Sequence, residues 1–128
     1  MAAAAAGNDG TSAVDYPAGY PEAVSVAAVD DRGAHAWFSN SNADVEVAGP
    51  GVDVLSAKLG GGYVRESGTS MATPHAAGAA ALVWEAHPRS SANAIRRRLD
   101  ALTADAGAVG RDADFGFGIL DLSRLASG

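Results

Sequence analysis

The clearest pattern along the chain is a near-continuous apolar run, "AVSVAAVD" (Ala23 to Asp30), between a Pro-rich loop, "YPAGYPEA", and a polar one, "DRGAHAWFSNSNA". A run of this length without alternation predicts a strand buried on both faces. "DVEVAG" predicts a second strand. Pro50-Gly51 then turns the chain into "VDVLSAK", which "GGGYVRES" answers as a hairpin. At the start, "AAAAAG" followed by "NDG" reads as a small-residue strand ended by a turn, with a helix as the alternative that alanine propensity favours. From about Ser70 to His87 the pattern predicts a long helix closed by Pro88. Gly78 and the alanines at 76, 77, 79, 80 and 81 leave that helix almost without side chains, which predicts burial on every side. "SSANAIRRRLDALT" predicts a second helix capped by Ser90 or Ser91, with Ile95, Leu99 and Leu102 on one face. "DFGFGILDLSRLAS" predicts a strand or loop leading into a short terminal helix. Strands interleaved with helices make this an α/β layer protein.

Composition narrows the function classes. The chain of 128 residues is 48% hydrophobic and 19% charged, which fits one globular domain over 1–128. Its net charge of −6, with Lys58 as its single lysine, leaves no electrostatic footprint for nucleic acid or an anionic membrane. The one basic cluster, Arg96-Arg97-Arg98, reads as a solvated helix face. Without cysteine there is no disulfide, thiol chemistry or thiolate metal site. "MAAAAAG" lacks the basic region and long apolar stretch of a signal peptide, and no run reaches membrane-spanning length.

The candidate chemistry lies in "ESGTSMATPHAAGAAALVW", Glu66 to Trp84. Ser70 falls at or near the start of the long helix, where unpaired amide hydrogens and the helix dipole favour negative charge. That suits a hydroxyl acting as a nucleophile. The competing reading is a plain N-cap on a buried helix. Likewise "NDG" at Asn8 to Gly10 is, by itself, an ordinary turn.

The stretch "SGTSMATPHAAGAAAL" closely resembles the nucleophile motif of the subtilisin-like serine peptidases, the subtilases. "AAAGNDG", "YPAGYPEAVSVAAVD", "AWFSN", "VEVAGPGVDVLSA" and "GFGILDL" resemble the same family in the same order. The resemblance corresponds to the C-terminal part of a subtilase catalytic domain. It implies part of a three-layer α/β fold with a mostly parallel sheet and a buried central helix starting near Ser70. It also implies a serine endopeptidase acting on protein or peptide substrates and secreted from the cell. Ser70 becomes the nucleophile, with Asn8 as side-chain donor to the oxyanion. Ala6, Gly7 and the residue before Tyr16 become walls of the pocket for the residue preceding the scissile bond. Two acids, Asp9 and Asp15, fall on these segments, and Asp15 departs from the small or neutral residue of many subtilases.

A serine hydroxyl needs a base. His75 is five helical residues from Ser70, about 140° around the axis, and the resemblance makes it a packed helix residue. His87 is 17 residues on, roughly 25 Å along the helix. His35 sits in a loop beside Trp37 and Phe38. Subtilases place the triad in the order Asp, His, Ser, and neither of the first two motifs precedes Ser70 here. The expected partner is therefore the N-terminal portion of the catalytic domain; the alternative is an inactive remnant serving as a structural or peptide-binding module. No cluster has metal-ligand spacing. The resemblance implies only a weak Ca²⁺ or Na⁺ site on the carbonyls of Ala18, Tyr20 and Ala23, with Glu46 nearby.

Overall fold

The apolar run from Ala23 does form a strand, and each of its seven residues is buried. In the computed structural model, which describes residues 1–127, it is strand β2 (Ala23–Val29). Alternate side chains enter two different cores. Val24, Val26 and Ala28 face one, while Ala27 and Val29 face the other. The opening alanines settle as a strand, β1 (Ala2–Ala5), paired in parallel with β2 from Ala2↔Ala23 to Ala5↔Val26. Sheet pairing thus overrides alanine's helix propensity. On the other side of β2 lies β3 (Val45–Pro50), also parallel. Then come β4 (Val54–Ala57) and β5 (Tyr63–Glu66), the antiparallel hairpin expected from the glycine-rich turn.

The helices follow. α1 spans Thr69–Ala86 and α2 spans Ala92–Ala101, the latter capped by Ser91, whose side chain accepts from the Ala94 N–H at 3.3 Å. After α2 the chain returns to the sheet as β6 (Thr103–Ala104) and β7 (Ile119–Leu120), then ends in a 3₁₀ turn, Leu122–Ser127. The sheet order is β1-β2-β3-β7-β6, parallel except for the β6–β7 pair. The mixed α/β architecture with a mostly parallel sheet is the one expected.

One expectation, burial of α1 on every side, needs correcting. Both helices pack on the same face of the sheet, where Ala72, Ala76, Ala79, Ala80 and Val83 of α1 and Ile95 and Leu99 of α2 close one core. The opposite face is covered by the loop carrying Phe115, not by a helix, among the described residues. Nor is α1 buried all round. Ala77, Gly78 and Ala81 face solvent, and a side chain at Gly78 would meet nothing within 4 Å. The sheet and α2 together cover only one side of this cylinder. The bare helix therefore has an open face here, and β1 an open edge.

Candidate active site

The carboxyl end of β1 and the amino end of α1 meet at one point. Gly68 ties the start of α1 to the end of β3, while Thr69 bonds to Gly7 and Asn8 at the end of β1. The Gly68 amide donates to the Gly51 carbonyl at 2.8 Å, and its φ of 157° belongs to a conformation that glycine alone adopts readily. A side chain at Gly51 would strike Ala28 and the Gly68 carbonyl, so the approach is as close as backbone permits.

Ser70 is not a cap. The N-cap of α1 is Gly68, with no side-chain cap bond and no acid in the first turn. Ser70 lies one residue inside the helix and is exposed. Its own N–H belongs to the first turn, which has no intrahelical acceptor, so it points an unspent donor out of the helix end.

Asn8 is held beside it. The Asn8 Oδ1 accepts from the Thr69 N–H at 2.8 Å and from the Thr69 hydroxyl at 2.9 Å. Both bonds fall on the oxygen, which fixes the amide with Nδ2 turned outward as a donor. Nδ2 itself has no acceptor among the described residues. The Thr69 hydroxyl also accepts from the Gly7 N–H at 3.3 Å, and Thr69 is fully buried. Asn40, equally buried, steadies the other side of the turn: its Oδ1 accepts from the Asp9 N–H at 3.0 Å and its N–H donates to the Gly7 carbonyl at 3.0 Å. Neither Thr69 nor Asn40 stood out in the sequence, because each acts only through contacts that folding creates.

Ser70 and Asn8 line one cleft of about 580 Å³, together with Gly7, Asp15, Tyr16 and Ala3 to Ala5. Of the expected pocket walls, Gly7 and Asp15 are there. The Ala6 side chain is not: successive residues at a strand end point opposite ways, and Ala6 is buried under the sheet with Ala27, Val29 and Phe115. Asp9 is exposed and lies outside the cleft. On the other side of Ser70 a second cleft of about 390 Å³ runs beneath the hairpin, lined by Val54, Leu55, Met71 and His75.

No histidine is placed as base. His75 is exposed rather than packed, because the outer side of α1 is open, and its Nδ1 is taken by the Met71 carbonyl at 2.9 Å. His87 caps the far end of α1. His35 stacks edge-on against Phe115, its Nε2 3.5 Å from the Ser41 hydroxyl, and lines neither cleft at Ser70.

Three of the four groups expected to hold a cation, Tyr20, Ala23 and Glu46, are already engaged. Arg96 reaches from α2 into the cavity lined by Ala18, Tyr20, Ala23 and Glu46. Its Nε donates to Glu46 Oε1 at 2.6 Å, and Nη2 reaches Glu46 Oε2 in a second, parallel contact. Nη1 donates to the Pro21 carbonyl at 2.6 Å and Nη2 to the Ala23 carbonyl at 3.0 Å. The Tyr20 carbonyl accepts from the Ala23 N–H at 3.0 Å. A metal ion here would have to share carboxylate and carbonyl with a fixed positive charge, so these residues as arranged do not fit one. The solvated-face reading of the arginine run is corrected in the same stroke. Arg97 and Arg98 are exposed, but Arg96 is a half-buried ion-pair residue. The bidentate Glu46 raises the Arg96 pKa, against a smaller lowering by burial.

Comparison with known proteins settles the family. The profile of the Subtilase family matches residues 1–118. The chain belongs to the subtilases. A thermostable alkaline protease of Halalkalibacterium halodurans is 44% identical over 120 residues, covering 94% of this chain and 32% of that protein. Subtilisin E of Bacillus subtilis is 41% identical over 130 residues, covering 98% of this chain and 33% of that protein. The minor extracellular protease Epr of the same species is 38% identical over 125 residues, covering 97% and 19%. Among solved structures, the psychrophilic subtilisin-like protease Apa1 from an Antarctic Pseudoalteromonas superposes with a TM-score of 0.88 at 21% identity, over 96% of this chain and 62% of that one. The subtilase chain described here thus spans about a third of the length of the first two relatives.

Proposed function

We propose that this chain is the nucleophile-bearing part of a subtilisin-type serine endopeptidase, with Ser70 as nucleophile and Asn8 as oxyanion donor. One observation carries the reading: an exposed serine in the first turn of α1 shares a cleft with an asparagine whose amide is oriented by Thr69. Ser70 Oγ would attack the substrate carbonyl carbon, and its proton would pass to a base and then to the departing amine. The carbonyl oxygen, now negative, would sit between the Ser70 N–H and Asn8 Nδ2.

The base and its orienting acid belong, in this reading, to sequence outside these 128 residues, in the same polypeptide or in trans. The open edge of β1 and the open face of α1 are where that portion would pack. Proteins or peptides are the substrates, and secretion follows from the likeness to an extracellular protease.

The experiment is to join the chain to the aspartate- and histidine-bearing portion of a relative's catalytic domain and to assay a fluorogenic peptide. The chain alone should give no turnover. The completed domain should cut, and Ser70→Ala should abolish cutting. Asn8→Ala should lower kcat by about 10²–10³, a magnitude measured on a subtilisin and carried over from the family. A completed, folded domain with no turnover would favour the inactive binding module instead.

A further inference from the structure

We infer that Asp15 makes the cleft beside Ser70 a receptor for a basic side chain, so that the completed enzyme cuts after arginine or lysine. This rests on Ser70 being the nucleophile and names the substrate class of that same site.

Among the described residues Asp15 is the only acid lining the cleft, and no lysine or arginine lines it. Its carboxylate lies against Gly7, one residue before the oxyanion donor: a Cβ at Gly7, whose φ is 113°, would run into both the Asp15 carboxylate and the Asn40 amide.

Two other half-buried loop aspartates are spent on the backbone, whereas the aspartates without such bonds, Asp9, Asp31, Asp44 and Asp114, are exposed. Asp30 accepts from the N–H groups of Arg32 and Ala34, and Asp112 from those of Ala108, Asp114 and Phe115. Asp15, among the described residues, accepts no hydrogen bond and makes no ion pair, although it is half-buried. A turn aspartate normally serves its own turn. This one instead presents an uncompensated charge to the cleft. The remaining walls include three alanines, two prolines and Tyr16, apolar surface suited to the methylene stem of a long basic residue.

Solvent access and the desolvation of both ions offset most of the Coulomb attraction. The expected preference is therefore modest, about tenfold in kcat/KM for arginine over leucine, or about 1.4 kcal/mol of differential transition-state binding.

The test uses the completed domain and peptides differing only at the residue before the scissile bond. The arginine-to-leucine ratio should be about ten, fall to near or below one in Asp15→Ser, and be retained in Asp15→Glu. A second measurement needs no catalysis: the Ser70→Ala domain should bind a product-like peptide ending in arginine more tightly than one ending in leucine, with the difference lost in Asp15→Ser. Cutting that depends on Ser70 but shows the same ratio with and without Asp15 overturns the specificity and leaves the nucleophile standing. Absence of any cutting overturns the nucleophile, and the binding pair then decides Asp15 by itself.

Discussion

A single hydroxyl does three jobs at Thr69. It donates to Asn8 Oδ1, accepts from the Gly7 N–H, and sits next to the residue proposed as nucleophile. Thr69→Val keeps the shape, leaves the backbone bond to Asn8 in place, and strands the buried Gly7 donor, an omission that costs about 1–3 kcal/mol. Because the oxyanion forms only in the transition state, the completed domain should lose about tenfold in kcat with KM nearly unchanged. An equal rise in KM would mean that Thr69 shapes the cleft rather than aiming the amide. Ser70 and Asn8 stood out as candidates in the sequence because they stand inside long motifs. Thr69 and Asn40 did not, since a threonine before a serine and an asparagine in a polar loop acquire their roles only when residues 61 and 31 positions apart meet. Arg96 was not legible: its run reads as a solvated face, and nothing local says which of three adjacent arginines meets the buried Glu46.

At the scale of elements, the docking of α2 onto β3 runs through a knot of charges. Asp100, on α2, faces Glu46 of β3, with Arg96 and Arg111 also in range, and its Oδ1 is buried without a partner. Desolvation first, then the charge and hydrogen bond of Glu46, push the Asp100 carboxyl up to about 7, while the two arginines pull it down. An unfolded aspartate titrates near about 3.9. Between those two values the folded state binds the extra proton, so stability falls as pH rises from about 4 to about 7 and then levels off. Asp100→Asn should remove this slope. In the completed domain its thermal midpoint should exceed the parent's at pH 8 by a few degrees, with the two converging near pH 4. Parallel curves across that range would show that Asp100 keeps an ordinary pKa. The elements themselves were largely readable. β2 declared itself by its unbroken apolar run, α2 by its spacing of Ile95 and Leu99, and the hairpin by its glycines. The alanines of β1 could not choose between helix and strand from local preference; the neighbouring β2 chose for them.

Taken whole, the molecule is finished on some sides and open on others. A cavity of about 220 Å³ between β1 and α1, lined by Ala3, Ala77, Ala81 and Trp84, opens to solvent beside an unpaired strand edge. Exposed apolar surface of this kind and a free edge together invite association. The chain by itself should bind ANS, give weak near-UV dichroism and tend to aggregate, and these signs should fade when the remaining portion of the catalytic domain is added. A soluble monomer with a sharp thermal transition would overturn that expectation. The loop around Tyr20, by contrast, is closed from within. Its positive charge arrives on a side chain of α2, held by Glu46 and two carbonyls. An ion drawn from the medium is present only as far as its concentration allows, whereas a tethered one is present at unit stoichiometry at any dilution. At this corner of the fold the charge that ties the loop travels with α2, and what would loosen the loop is an event on α2 itself.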